Sequence, residues 1–209
     1  MPLVYQHTIN SHSRLGIWHI TEPESFFRQQ VPLLQPVAHS RKRLQHLAGR
    51  YLLRRLFPEI ALETIAAAPG RKPFLPNESH HFSISHCGHY AAVIASTTQQ
   101  AGIDIEIAMP KIMALAPKFL RPDEETLLQQ YREILQPIAG TTLLWSAKEA
   151  LFKWYARGGI DFKEHLHIQH IEGNNKEGIL NAAFRKDGIL QLQLPYVFFD
   201  NLVLTWVLA

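Results

Sequence analysis

The chain has 209 residues, 46% of them hydrophobic, which is enough for one core or two small ones. It has a formal net charge of +3 and one cysteine, Cys87, so no internal disulfide can form and a reducing compartment fits. No apolar run reaches the ~20 residues of a membrane helix, and "MPLVYQHTIN" lacks the basic start and apolar stretch of a signal peptide, so a soluble, cytoplasmic protein is expected.

The charge is unevenly spread. Residues 1–100 hold 10 Lys and Arg against 5 Asp and Glu, and residues 101–209 hold 11 against 13, so the halves carry +5 and −2. A basic half suits polyanions, and an acidic half is where a divalent metal would be sought. A solvated basic face accounts for the asymmetry equally well.

In chain order, the clearest helix is "SRKRLQHLAGRYLLRRLF". Leu44, Leu47, Ala48, Tyr51, Leu52 and Leu56 keep helical spacing, Ser40 is placed to cap it, and Pro58 closes it. Arg43, Arg50 and Arg54 fall on one flank. A "PGRKP" turn then leads to the strand-like runs "HFSISH" and "YAAVIAS", the turn "TTQQAG" and a further strand, "IDIEI", together suggesting an antiparallel hairpin. Pro122 turns the chain into a helix opened by Asp123, Glu124 and Glu125, acids that suit the unpaired N–H groups of a helix start. "TTLLWSAKEALFKWYARGG" predicts a helix ending at Gly158-Gly159. The short runs "LHIQHI", "GILNAAF", "ILQLQL" and "LVLTWVLA" then read as strands between Gly- and Asn-containing turns. The class is α+β with mostly antiparallel sheets.

Three stretches can carry chemistry. In "GIDIEI", Asp104 and Glu106 alternate with Ile, so both carboxylates leave one face of a strand and repel unless a cation lies between them. Mg²⁺ suits such a pair, and Glu149 could supply a third oxygen; an ordinary solvated strand face is the alternative. In "WSAKEALFK", Glu149 and Lys153 lie four apart, and the plain reading is an ion pair supporting an exposed helix. In "FSISHCGHY", Ser85 and His86 point to opposite faces of a strand and cannot share a proton, so phosphate donation is a better use for them than hydrolase chemistry. The twelve histidines come without C-x-x-C or H-E-x-x-H, and G-x-G-x-x-G and the P-loop pattern are missing, which argues against zinc, a Rossmann dinucleotide site and a Walker-type ATPase.

With "FSISH", "GIDIE" and "WSAKEALFK" in this order, the chain resembles the 4′-phosphopantetheinyl transferases, most of all the longer, pseudo-dimeric type that acts on peptidyl and acyl carrier proteins. The resemblance runs from about Arg43 to Gly159. It implies two similar α+β halves, residues 1–100 and 101–209, with the active site in the cleft between them. It places Asp104, Glu106 and Glu149 on the magnesium-binding carboxylates, with Mn²⁺ able to substitute for Mg²⁺. Lys153 falls on the lysine that contacts the diphosphate of coenzyme A, and Ser85 and His86 on the phosphate-contacting Ser-His pair. Arg43 resembles the arginine for the 3′-phosphate. Lys72 matches the lysine beside the adenine, although Arg71 is an apparent insertion there. Glu124 falls where many members carry a glutamate proposed to activate the nucleophile, so the base is Glu149 or Glu124.

The chain departs from the longer type in one respect. Two upstream lysines are absent and only Arg28 stands in that region, which shifts 3′-phosphate recognition toward Arg43, Arg50 and His86. The implied reaction is transfer of 4′-phosphopantetheine from coenzyme A to a carrier-protein serine, by a monomer that uses neither nucleic acid nor membrane. The rival readings are a metal-dependent nuclease steered by the basic helix, and a non-catalytic coenzyme A or carrier-binding protein.

Overall fold

The computed structural model describes residues 2–33, 36–66 and 72–209, and the chain divides into two compact units, Met1–Ala101 and Gly102–Ala209. Of the "PGRKP" turn, Pro69, Gly70 and Arg71 lie outside the described residues.

The first unit is a four-stranded antiparallel sheet with helices. Strands β1 (Leu3–Asn10) and β2 (Ser13–His19) pair, as do β3 (His81–Cys87) and β4 (Tyr90–Ser96), and the sheet order is β1-β2-β4-β3. Between the pairs run α1 (Glu24–Gln30) and α2 (Ser40–Leu56). Strand β4 is almost wholly apolar and central, and Ala91 through Ala95 are fully buried. Leu47, Ala48, Leu52, Leu53 and Leu56 of α2 join Trp18, Phe27 and Phe82 in the core. The approach is tight: a Cβ on Gly49 would lie 2.6 Å from Ile84 Cγ2, so only glycine lets α2 cross β3 there. Ser40 is not the cap. His39 occupies that position and no side chain closes the helix start, so the first turn carries Arg41, Lys42 and Arg43 with no acid among them.

The second unit has a five-stranded sheet in the order β5-β9-β8-β7-β6. Strand β5 (Ala101–Ile107) leads to α3 (Ile112–Phe119), α4 (Pro122–Gln130) and α5 (Pro137–Tyr155). An antiparallel meander of β6 (Leu166–Gly173), β7 (Glu177–Phe184), β8 (Leu190–Phe199) and β9 (Leu202–Leu208) completes it. The expected hairpin is therefore β3–β4 alone, and the "IDIEI" strand joins the other sheet. Helix α5 begins at Pro137 and ends at Tyr155, earlier than Gly158-Gly159, because Ala156 takes a left-handed conformation (φ 59°) and its N–H bonds Phe152 O. Leu143, Leu144, Ala147, Ala150 and Leu151 bury its inner face. Among the described residues no helix is long and apolar enough to cross a membrane.

Candidate active site

Gly102 decides how β5 meets α5. A Cβ there would lie 2.1 Å from Ala150 O and 2.8 Å from Trp154 Cβ, so any side chain would push the strand off the helix. That crossing brings the carboxylates of β5 to the charged turn of α5. Ile103 and Ile105 are fully buried on one face, and Asp104 and Glu106 share the other.

Asp104 is itself only 2% exposed, and Lys153 reaches it across the two elements, with Nζ 2.6 Å from Oδ1. Glu106 Oε1 accepts the indole N–H of Trp145 at 3.2 Å. Burial, then the neighbouring Asp104 and Glu106, push the Glu149 carboxyl up to about 7, against the pull of Lys153. Burial and Asp104 also raise Glu106. The three carboxylates thus feel one another strongly, which suits a hard divalent cation with oxygen ligands. As the side chains stand, no three His, Cys, Asp or Glu residues among those described come close enough to clasp a metal.

Glu124 has a different setting. It is fully buried at the third position of α4, where Oε2 accepts the Arg121 N–H (2.9 Å) and Lys148 Nζ (2.7 Å), and Oε1 accepts the Ile168 N–H (2.8 Å). Lys148, also fully buried, gives its remaining protons to Phe119 O (2.7 Å) and Phe162 O (3.0 Å). Burial lowers the Lys148 pKa, and Glu124 opposes that. One ion pair therefore ties α3, α4, α5 and β6 together. No sequence spacing links Lys148 to this partner, which lies 24 residues away.

On the first unit, Arg43 is engaged in structure. Its Nε lies 2.8 Å from Glu24 Oε1, and Nη1 donates to Val37 O (2.8 Å) and Ala38 O (3.2 Å), which fastens α1 and the connecting segment to α2. Arg43, then Arg28, hold the Glu24 carboxyl down at about 2. Arg50 is largely buried, its Nη1 donates to His46 O at 3.4 Å, and its Nε has no hydrogen-bond partner among the described residues. Lys72 Nζ donates to Ala101 O at 2.7 Å. Ser85 is buried on β3, and the His86 ring stands 5.6 Å from that of His46. A cavity of about 290 Å³ at the start of α2 is lined by Glu24, Ser40, Arg41, Leu44, Gln45 and His89.

A strand and a helix thus bring Asp104 and Glu106 of β5 beside Glu149 and Lys153 of α5. The profile of the 4′-phosphopantetheinyl transferase superfamily matches residues 100–206, from β5 into β9, and the chain belongs to that family. It is 32% identical over 121 residues to enterobactin synthase component D of Salmonella typhimurium, across 57% of this chain and 50% of that protein. It is 31% identical over 150 residues to the 4′-phosphopantetheinyl transferase psf-1 of Bacillus pumilus, across 63% of each. The 4′-phosphopantetheinyl transferase AcpT of Salmonella typhimurium is 30% identical over 120 residues, across 56% of this chain and 60% of AcpT. The chain thus spans about half the length of the enterobactin synthase components it matches.

Proposed function

We propose that this chain transfers 4′-phosphopantetheine from coenzyme A to a serine of an apo acyl or peptidyl carrier protein. The serine oxygen bonds the β-phosphorus, the bond from that phosphorus to the bridging oxygen breaks, and 3′,5′-ADP leaves. The observation that carries this reading is the convergence of Asp104, Glu106, Glu149 and Lys153 within the segment shared with the family. The names of the two transferases among the relatives support it.

The donor set fits Mg²⁺ or Mn²⁺, held by Asp104, Glu106 and Glu149. The ion's charge would offset that of the diphosphate and let a neutral hydroxyl approach it. Lys153 supports the charge that grows on the departing oxygen. Glu149 takes the hydroxyl proton, directly or through a water. The saturated hydrogen bonding of buried Glu124 favours a structural role for it and leaves the base to Glu149. Lys72, Ser85, His86 and Arg50 are assigned to coenzyme A, with Arg43 fastening α1 to α2.

The test is incubation with coenzyme A, Mg²⁺ and a panel of apo-carrier proteins, read by intact mass. One carrier is expected to gain a single phosphopantetheine on serine, and excess chelator to abolish the gain. No modified carrier, or full activity in chelator, would overturn the reading.

A further inference from the structure

Helix α2 carries a stripe of basic residues one turn apart: Lys42, His46 and Arg50. The Gly49–Ile84 contact fixes where this stripe meets β3, and Ile84 and His86 share a face of that strand. His86 therefore comes opposite His46, with ring centroids 5.6 Å apart and planes tilted by 43°. The half-buried His46 imidazole is driven toward its neutral form by burial, then by Arg50, then by Lys42.

Among the described residues no carboxylate pairs with His46 or Arg50. Glu24 of α1 is committed to Arg43 and Arg28. Arg14 of β2 sits at the far end of α2, on Leu56 O. His19 of β2 and Tyr90 of β4 stack on each other. Beside His46, Arg50 buries a guanidinium nitrogen with no hydrogen-bond partner among the described residues. A buried donor left unmade costs stability, and sites that break this rule are commonly sites that bind something. Two imidazoles and a guanidinium with an unused N–H suit a phosphate monoester, which has two negative charges and three acceptor oxygens.

We propose that His46 is a further binding residue of this chain, gripping the 3′-phosphate of coenzyme A together with His86 and Arg50. The inference rests on the transferase reading and adds a residue and a mechanism of discrimination to it. A bound dianion raises the proton affinity of His46, so by linkage the 3′-phosphate is held more tightly as pH falls toward the ordinary histidine range. Arg43, tied to Glu24 and two carbonyls, fastens the start of α2 to α1.

The experiment compares calorimetric Kd values for coenzyme A and dephospho-coenzyme A, with Mg²⁺ present, at about pH 6.5 and about pH 8. The proteins are wild type, His46→Gln and His46→Lys, each checked by thermal melt. Wild type is expected to prefer coenzyme A, more strongly at the lower pH. His46→Gln should lose roughly tenfold of that preference at the lower pH while binding dephospho-coenzyme A normally. His46→Lys, a permanent cation, should keep the preference and flatten its pH dependence. Wild-type preference at both pH values in His46→Gln, or none in wild type, would overturn the inference while leaving coenzyme A as the ligand. Failure of wild type to bind either ligand would remove the coenzyme A reading as well.

Discussion

Two lysines five positions apart on α5 serve clusters of opposite character. Lys148 meets one carboxylate, Glu124, in a fully buried pocket where every proton and both carboxylate oxygens have partners. Lys153 meets a group with three carboxylates, of which Asp104 is its partner at 2.6 Å and Glu149 is pushed up to about 7 by burial and its acidic neighbours. The first cluster is balanced in charge and hydrogen bonds, and the second has an excess of negative charge. Depth of burial does not separate them, because Asp104 is nearly as buried as Glu124. The imbalance does, because a cluster that repels itself is stable only with help from a cation.

The strongest way to break the comparison is to remove each lysine in turn. Lys148→Met strands Glu124 without its cation and is expected to cost about 3–5 kcal/mol of stability, read by denaturant unfolding. The double variant Lys148→Met/Glu124→Gln should recover part of that loss, since the unpaired charge is gone. A Lys148→Met protein as stable as wild type would end the claim that this cluster is structural.

Lys153→Met should leave the fold largely intact and lower the single-turnover rate at saturating coenzyme A by on the order of a hundredfold. Lys153→Arg should recover only part of the rate, because a planar guanidinium differs from a compact ammonium in reach and shape. A wild-type rate in Lys153→Met would reduce this lysine to the same structural part as Lys148.

The smallest effect sharpens the charge argument itself. Glu149 rises from 4.5 to about 7 on folding, so between these values the folded protein binds more protons than the unfolded chain. The contribution of Glu149 to the stability of the metal-free protein must then fall as pH rises through that window, by about 2–3 kcal/mol. Glu149→Gln removes this slope and stabilises the metal-free protein at about pH 8, whereas added Mg²⁺ stabilises wild type more than the variant. Unfolding curves of wild type and Glu149→Gln at several pH values measure it, and equal pH slopes for the two proteins would refute the crowding of these carboxylates.

Much of the fold was legible where local signals agreed. Helix α2, the β3–β4 hairpin and the four strands from β6 to β9 follow from periodicity and turn residues. Four elements carry weaker signals. Strand β1 lies at a sheet edge with most residues exposed, so its alternation is blurred. Strand β2 contains Gly16, α1 has only seven residues, and α3 has eight with Pro117 inside and no side-chain cap. Their formation rests on packing more than on propensity.

For the site, the sequence by itself determined what local backbone geometry fixes. Two-residue spacing put Asp104 and Glu106 on one strand face, and four-residue spacing put Glu149 and Lys153 on one helix face. Only the tertiary structure decided which charge meets which. Arg43 pairs with Glu24 across 19 residues, Lys148 with Glu124 across 24, and Lys153 with Asp104 across 49. Those partners depend on how elements pack, as at Gly102 against Ala150, and on how far each group is removed from water. Backbone period carries no information about either, so one lysine became a fastening and its neighbour on the same helix remained beside the crowded acids.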